Sequence, residues 1–259
     1  MSDRAVSEVI SYVLVFGLIV SAVGIISVSG LATLQDVRDN EQIANAERAF
    51  DVMSDNIADI HRRGAPSRAT EISLGEAELA TGPNVTMRVE IDTDGDGDWN
   101  DGDADDGLGY QRNLRPIIYD GEGERQLVYE AGATFRTNRD GGVIVQEPPF
   151  ILDDDRVHVP IIGLNRPQAQ SLGGSTVLVR TRLQSTSVEY ENRGGNVEGI
   201  RISILGTDPD RAALWREYYD NRGFSCAGGP GPDVVCTFEP GSIGQVYVVD
   251  YDISVTIDP

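Results

Sequence analysis

A chain of 259 residues with 40% hydrophobic content can bury the core of one sizeable domain. Its 42 acidic residues outnumber 21 basic ones, giving a net charge of −21. That excludes phosphate neutralisation on any scale, so nucleic acid is not an expected partner.

Chain order starts with an apolar run. No charged residue occurs between Glu8 and Asp36, and Val9 to Leu34 exceeds the roughly 20 residues that cross a bilayer. A secretory signal peptide would carry a basic lead, a shorter apolar run and a cleavage site beyond it. Here the lead is only Met1-Ser2-Asp3-Arg4-Ala5, and the pattern continues past the run. Asp36 to Arg63 contains no Pro or Gly, and Ala46, Phe50, Met53, Ile57 and Ile60 recur at spacings of four and three. One apolar stripe on a continuing helix is expected, ending at Gly64-Ala65-Pro66 with His61, Arg62 and Arg63 in its last turn. From Ser7 to Arg63 such a helix would reach about 85 Å. Gly17, Ser21 and Gly24 place small residues near one face of the span, as close helix approach requires.

After Pro66 the period shifts to alternation punctuated by Gly, Asn and Asp. Strands are predicted at 86–91, 116–119, 125–129, 143–146, 157–162, 175–183, 199–204 and 246–257. Asp120 to Gly123 reads as a hairpin turn. A single short helix is predicted over 208–219, with Asp208 as cap, Pro209 in the first turn, and Ala212, Leu214 and Tyr218 covering the sheet. The expected fold is therefore α+β. A long N-terminal helix, membrane-spanning and then amphipathic, packs on one antiparallel sheet or sandwich with one short covering helix.

Asp92 to Asp103 is the most distinctive soluble segment. Counting Asp92 as position 1 places Asp94 at 3, Asp96 at 5, Asp98 at 7, Asn100 at 9 and Asp103 at 12, with Gly97 at the sharp turn. This is the spacing of a calcium loop, with Asp in place of the usual Glu at position 12. The competing reading is a hydrated acidic surface loop, because eight Asp fall within residues 92–106. Cys226 and Cys236 flank a Gly- and Pro-rich stretch that could bring their sulfurs together in an oxidising compartment; two buried thiols are the alternative. Asn84-Val85-Thr86 is a glycosylation sequon, usable on a domain outside the cell. His61 and His158 neighbour no nucleophile motif, and no enzyme activity is expected.

All 21 basic residues are Arg, and with few aromatics the composition resembles that of extreme halophiles. In molar salt the Debye length shrinks to about 3 Å, so the large net charge costs little self-repulsion. The head Arg4-Ala5-Val6-Ser7-Glu8-Val9-Ile10, followed at once by the apolar run, resembles haloarchaeal type IV pilin-like proteins. That resemblance implies cleavage between Ala5 and Val6 by a prepilin peptidase. It also implies pairing of Glu8 with the amino terminus of a neighbouring subunit, and a surface or filament role with itself or other pilins as partners. It divides the chain into a leader at 1–5, a membrane helix at 6–35, an amphipathic extension at 36–64 and an extracellular β domain at 65–259. The N-terminus would be cytoplasmic and the C-terminal domain outside. An ordinary signal anchor carrying a monomeric ligand-binding module, calcium-stabilised if the loop is filled, fits the same residues.

Overall fold

The computed structural model describes residues 3–95, 99, 109–121, 125–165, 171–174, 176–194, 197–229 and 231–259. Its contacts form two units, Met1–Ala44 and Asn45–Pro259. In the first, α1 (Asp3–Arg63) begins and runs without interruption. Ile10–Ser27 has a mean hydropathy of 2.4 and none of it is buried, so this one helix is long and apolar enough to cross a membrane.

Within the second unit the end of α1 is amphipathic. Ala46, Phe50, Met53, Ile57 and Ile60 are each at most 1% exposed, whereas Val52, on the opposite face, is 54% exposed. The helix stops because Gly64 takes φ +68°, and the N–H groups of Gly64 and Ala65 turn back to the carbonyls of Ile60 and Asp59. Asp59 accepts from both Arg63 (2.7 Å) and Arg68 (3.0 Å), tying the last turn to the chain that follows.

Among the described residues sixteen strands follow: β1 (Ser67–Ser73), β2 (Glu78–Thr81), β3 (Val85–Asp92), β4 (Tyr110–Leu114), β5 (Ile117–Asp120), β6 (Gln126–Glu130), β7 (Ala133–Asn138), β8 (Gly141–Gln146), β9 (Ile151–Leu152), β10 (Arg156–Asn165), β11 (Ser171–Gly173), β12 (Thr176–Asn192), β13 (Gly199–Leu205), and, after α2 (Pro209–Asp220), β14 (Ser225–Ala227), β15 (Val234–Phe238) and β16 (Gln245–Asp258). Among the described residues they form three sheets rather than one, ordered β1-β12-β16-β10-β9, β11-β2-β5-β6-β7-β8 and β14-β15-β13-β3-β4. Pairing is antiparallel except between β10 and β16, which run parallel over ten residues from Arg156↔Gln245 to Asn165↔Ser254. The long excursion between those two strands, through β11 to β15 and α2, supplies the crossover that a parallel pair needs. The fold is α+β, as the residue pattern implies.

α2 forms where Asp208 caps its first turn, accepting from the N–H of Asp210 at 3.0 Å, with Pro209 at the first helical position. It buries Trp215, Tyr218 and Tyr219 in a core shared with Phe135 on β7, Val159 on β10, Ile202 on β13 and Cys236 on β15. The same helix supplies donors to a buried carboxylate. Glu130, at the end of β6, is 1% exposed. It accepts from the Thr207 hydroxyl (2.8 and 2.9 Å), Arg211 Nε (3.1 Å) and Trp215 Nε1 (2.9 Å). Ala131 (φ 50°) and Gly132 (φ 88°) then turn the chain directly into β7, fixing where the carboxylate points.

A buried ion pair missing one member leaves an uncompensated charge in the core. Glu130→Ala should therefore cost roughly 3–5 kcal/mol, whereas Thr207→Val, which removes one neutral donor, should cost about 1 kcal/mol. Denaturant melts of the two variants check this; equal losses would show that Arg211 does not depend on the carboxylate.

Candidate functional site

Two faces of β12 are set apart by strand parity. Val177, Val179 and Thr181 are buried, whereas Arg180, Arg182 and Gln184 point to solvent. Register then decides what flanks the arginines. Arg182 lies opposite Ser67 on β1 and Ser254 on β16, and Arg180 opposite Ala69 and Thr256. Long cationic side chains on the middle strand thus rise between small ones on its neighbours. The result is an open hollow of about 680 Å³, with Arg68 also on its lining. Gln184 Nε2 donates to Ser254 Oγ at 2.7 Å, and Ser254 Oγ donates in turn to the Arg182 carbonyl at 3.3 Å. Arg180 pairs with Asp258 at 3.2 Å, both more than half exposed. Among the described residues Arg182 has no ion-pair partner.

Further along the same face of β16 lies a second polar group, this one enclosed. Arg112 on β4 pairs with Asp250 (3.3 Å) and Asp252 (2.7 Å), and Asn165 Nδ2 donates to Asp252 at 2.6 Å. Burial raises the Asp250 carboxyl above its ordinary value, against the pull of Arg112 and the Tyr110 hydroxyl. Gly163 makes room: a Cβ there would sit 2.7 Å from Arg112 Nε. The cluster joins β4 to β10 and β16, and its charges are occupied with one another.

The residues expected to carry chemistry are scattered. Asp92 is buried, and its Oδ1 accepts from the N–H groups of Asp94 (3.1 Å) and Gly95 (2.7 Å). Asp96, Asp98, Asn100 and Asp103 lie outside the described residues. Among the described residues no group of three or more His, Cys, Asp or Glu is arranged to hold a metal ion. Trp99 is buried, with the Arg201 guanidinium 5.0 Å above its ring. Arg201 in turn grips Glu90 with two bonds of 2.7 Å. Asn84 is exposed immediately before β3, and the Thr86 hydroxyl donates to Asn113 at 2.7 Å. Cys226 and Cys236 are disulfide-bonded across a directly opposed pair of β14 and β15. The side chains of Ala5, Val6 and Glu8 lie outside those described; their backbone belongs to α1.

His61, near the end of α1, packs 5.5 Å from the Tyr251 ring. Burial, Arg62 and His158 push it down to about 4. Burial and Arg156 lower His158 as well. These lowered values hold both neutral near pH 7. A native pKa below the unfolded value means that the unfolded chain binds more protons as pH falls, so stability is full above about 6.5 and declines toward about 4. Thermal melts at pH 7 and pH 5 should show a loss that His61→Gln with His158→Gln reduces; an unchanged pH slope in the double variant would refute this.

A family model described as "Family of unknown function (DUF7289)" matches residues 4–256. No curated protein and no solved structure matches the chain.

Proposed function

We propose, from the premise that the chain belongs to DUF7289, that it is a membrane-anchored surface protein of the archaeal pilin-like kind with a structural or interaction role. The apolar helix carries this assignment. Over Ile10–Ser27 its side chains are exposed on every side, with Ile10, Leu14, Leu18 and Ile25 all above 50% exposure. An all-round apolar helix of that length is stable against lipid, where its backbone bonds are internally satisfied, and unfavourable against water. The head Arg4 to Ile10 supports processing between Ala5 and Val6 and a membrane-proximal role for Glu8. An unpaired carboxylate at that depth would be costly, so an amino terminus from a neighbouring subunit is its natural partner. The disulfide and the exposed Asn84 sequon support a β domain facing an oxidising exterior.

The hollow on β12 favours a second form of the same role, a monomeric anchored module that binds a surface ligand. Crosslinking in native membranes separates the two: a ladder of multiples indicates a subunit, a single band the module. Processing is checked independently by intact mass of the membrane-purified protein. The chain should begin at Val6; retention of Met1 in cells with active prepilin peptidase would remove the pilin-like assignment.

A further inference from the structure

The hollow on the β1-β12-β16 face sets arginines on the surface of a strongly acidic chain. In a chain with twice as many carboxylates as arginines, Arg180 and Arg182 rise side by side into one concavity whose other lining side chains are small or carry hydroxyl and amide groups, apart from Arg68 at its edge, whose guanidinium is held by Asp59. Several other arginines are committed to partly or fully buried carboxylates, Arg211 to Glu130, Arg201 to Glu90 and Arg112 to Asp250 and Asp252. Here Arg182 is exposed without an ion-pair partner among the described residues, and Arg180 is held only by Asp258. Such an exposed pair contributes little and exchanges readily for a better acceptor.

We infer that this hollow binds an acidic polysaccharide, with Arg180 and Arg182 gripping uronate carboxylates and Ser67, Ser254, Thr256 and Gln184 meeting the sugar hydroxyls. Guanidinium suits the first task because its planar fork bonds a carboxylate with two parallel N–H groups. Arg180 and Arg182 are two apart on one strand face, so they present cations in a row along an extended chain. The volume of about 680 Å³ lies within the range of small-ligand sites. An acidic peptide is the less suitable occupant, because peptide docking relies on aromatic or aliphatic anchors in pockets and the only apolar lining residue is Ala69. Nucleic acid is disfavoured by the same lining, which offers no ring for bases to stack on. The net charge of −21 repels polyanions at long range in dilute salt; short-range bidentate bonds operate where salt has screened that repulsion. The surface lies wholly within residues 67–256. The inference deepens the interaction role proposed above, yet its test does not use the membrane anchor or the processing of the head.

The test is binding of fluorescently labelled oligogalacturonate to the full-length protein in detergent, at moderate and at molar salt. Neutral dextran oligomer and poly-glutamate serve as comparators. The expected result is saturable binding of oligogalacturonate alone, persisting in molar salt. Arg180→Gln with Arg182→Gln should weaken it by roughly tenfold or more, whereas Arg193→Gln, an exposed arginine outside the hollow, should leave it unchanged. Thermal melts confirm that each variant is folded. The proposal is overturned if the double variant binds as well as the parent, if poly-glutamate or dextran binds equally, or if no oligogalacturonate binds. None of these outcomes alters where the mature chain begins, so failure here and failure of the anchored assignment are told apart.

Discussion

A single buried carboxylate organises the β domain. Glu130 ends β6 in the second sheet, Thr207 follows β13 of the third, and Arg211 and Trp215 belong to α2, so one side chain holds together three pieces brought in from about 80 residues away. Dehydrating a charge is costly, and only a full set of donors offsets that cost. The requirement is strict in direction as well as number. The carboxylate must leave β6 at a fixed angle, which the two positive-φ residues Ala131 and Gly132 define by turning the chain at once into β7. Around it the aromatic side chains of α2 close over Phe135 and Phe150, and the core becomes continuous.

Arginine is used repeatedly for such joints. Arg201 links β13 to β3 through Glu90 and shelters Trp99; Arg112 links β4 to the last strand through Asp250 and Asp252. Each pair is at least partly buried, so salt screens it far less than an exposed contact. In a chain without lysine the planar guanidinium is also the only side chain able to join acidic neighbours by two parallel bonds. The hollow on β12 departs from this use, since its arginines face outward with small neighbours.

Much of the fold was legible because local periodicity and burial agree. The stripe from Ala46 to Ile60, the stop at Gly64 and the cap at Asp208 each follow from residues within one or two turns of each other. The strands with β-branched cores, such as 199–204 and 246–257, read clearly for the same reason. β4 (Tyr-Gln-Arg-Asn-Leu), β7 and β11 were not legible: their side chains are polar or few, and they are strands because a neighbour's backbone pairs with them. β12 runs on to Asn192 through a polar half that pairs with β16 across two irregularities. Cys226 and Cys236 were visible as a pair, whereas β14 and β15, which bring them opposite one another, were not. The hollow was half legible. Alternation places Arg180 and Arg182 on one face, but the flanking serines come from β1 and β16, more than 70 residues away along the chain in either direction. Glu130 gave no sign of its partners, because its donors converge only in three dimensions.

α1 contains a stretch long and apolar enough to cross a membrane, and under the proposed anchoring its orientation decides whether hollow, sequon and disulfide are available to the exterior. The direct measurement uses Val188→Cys, an exposed position on β12. A membrane-impermeant maleimide applied to intact cells, followed by alkaline extraction of their membranes, reports orientation and anchoring together. Labelling before lysis, with the labelled protein retained in the membrane pellet, is the predicted result. Labelling only after lysis, or release of the protein into the soluble fraction, would contradict the account.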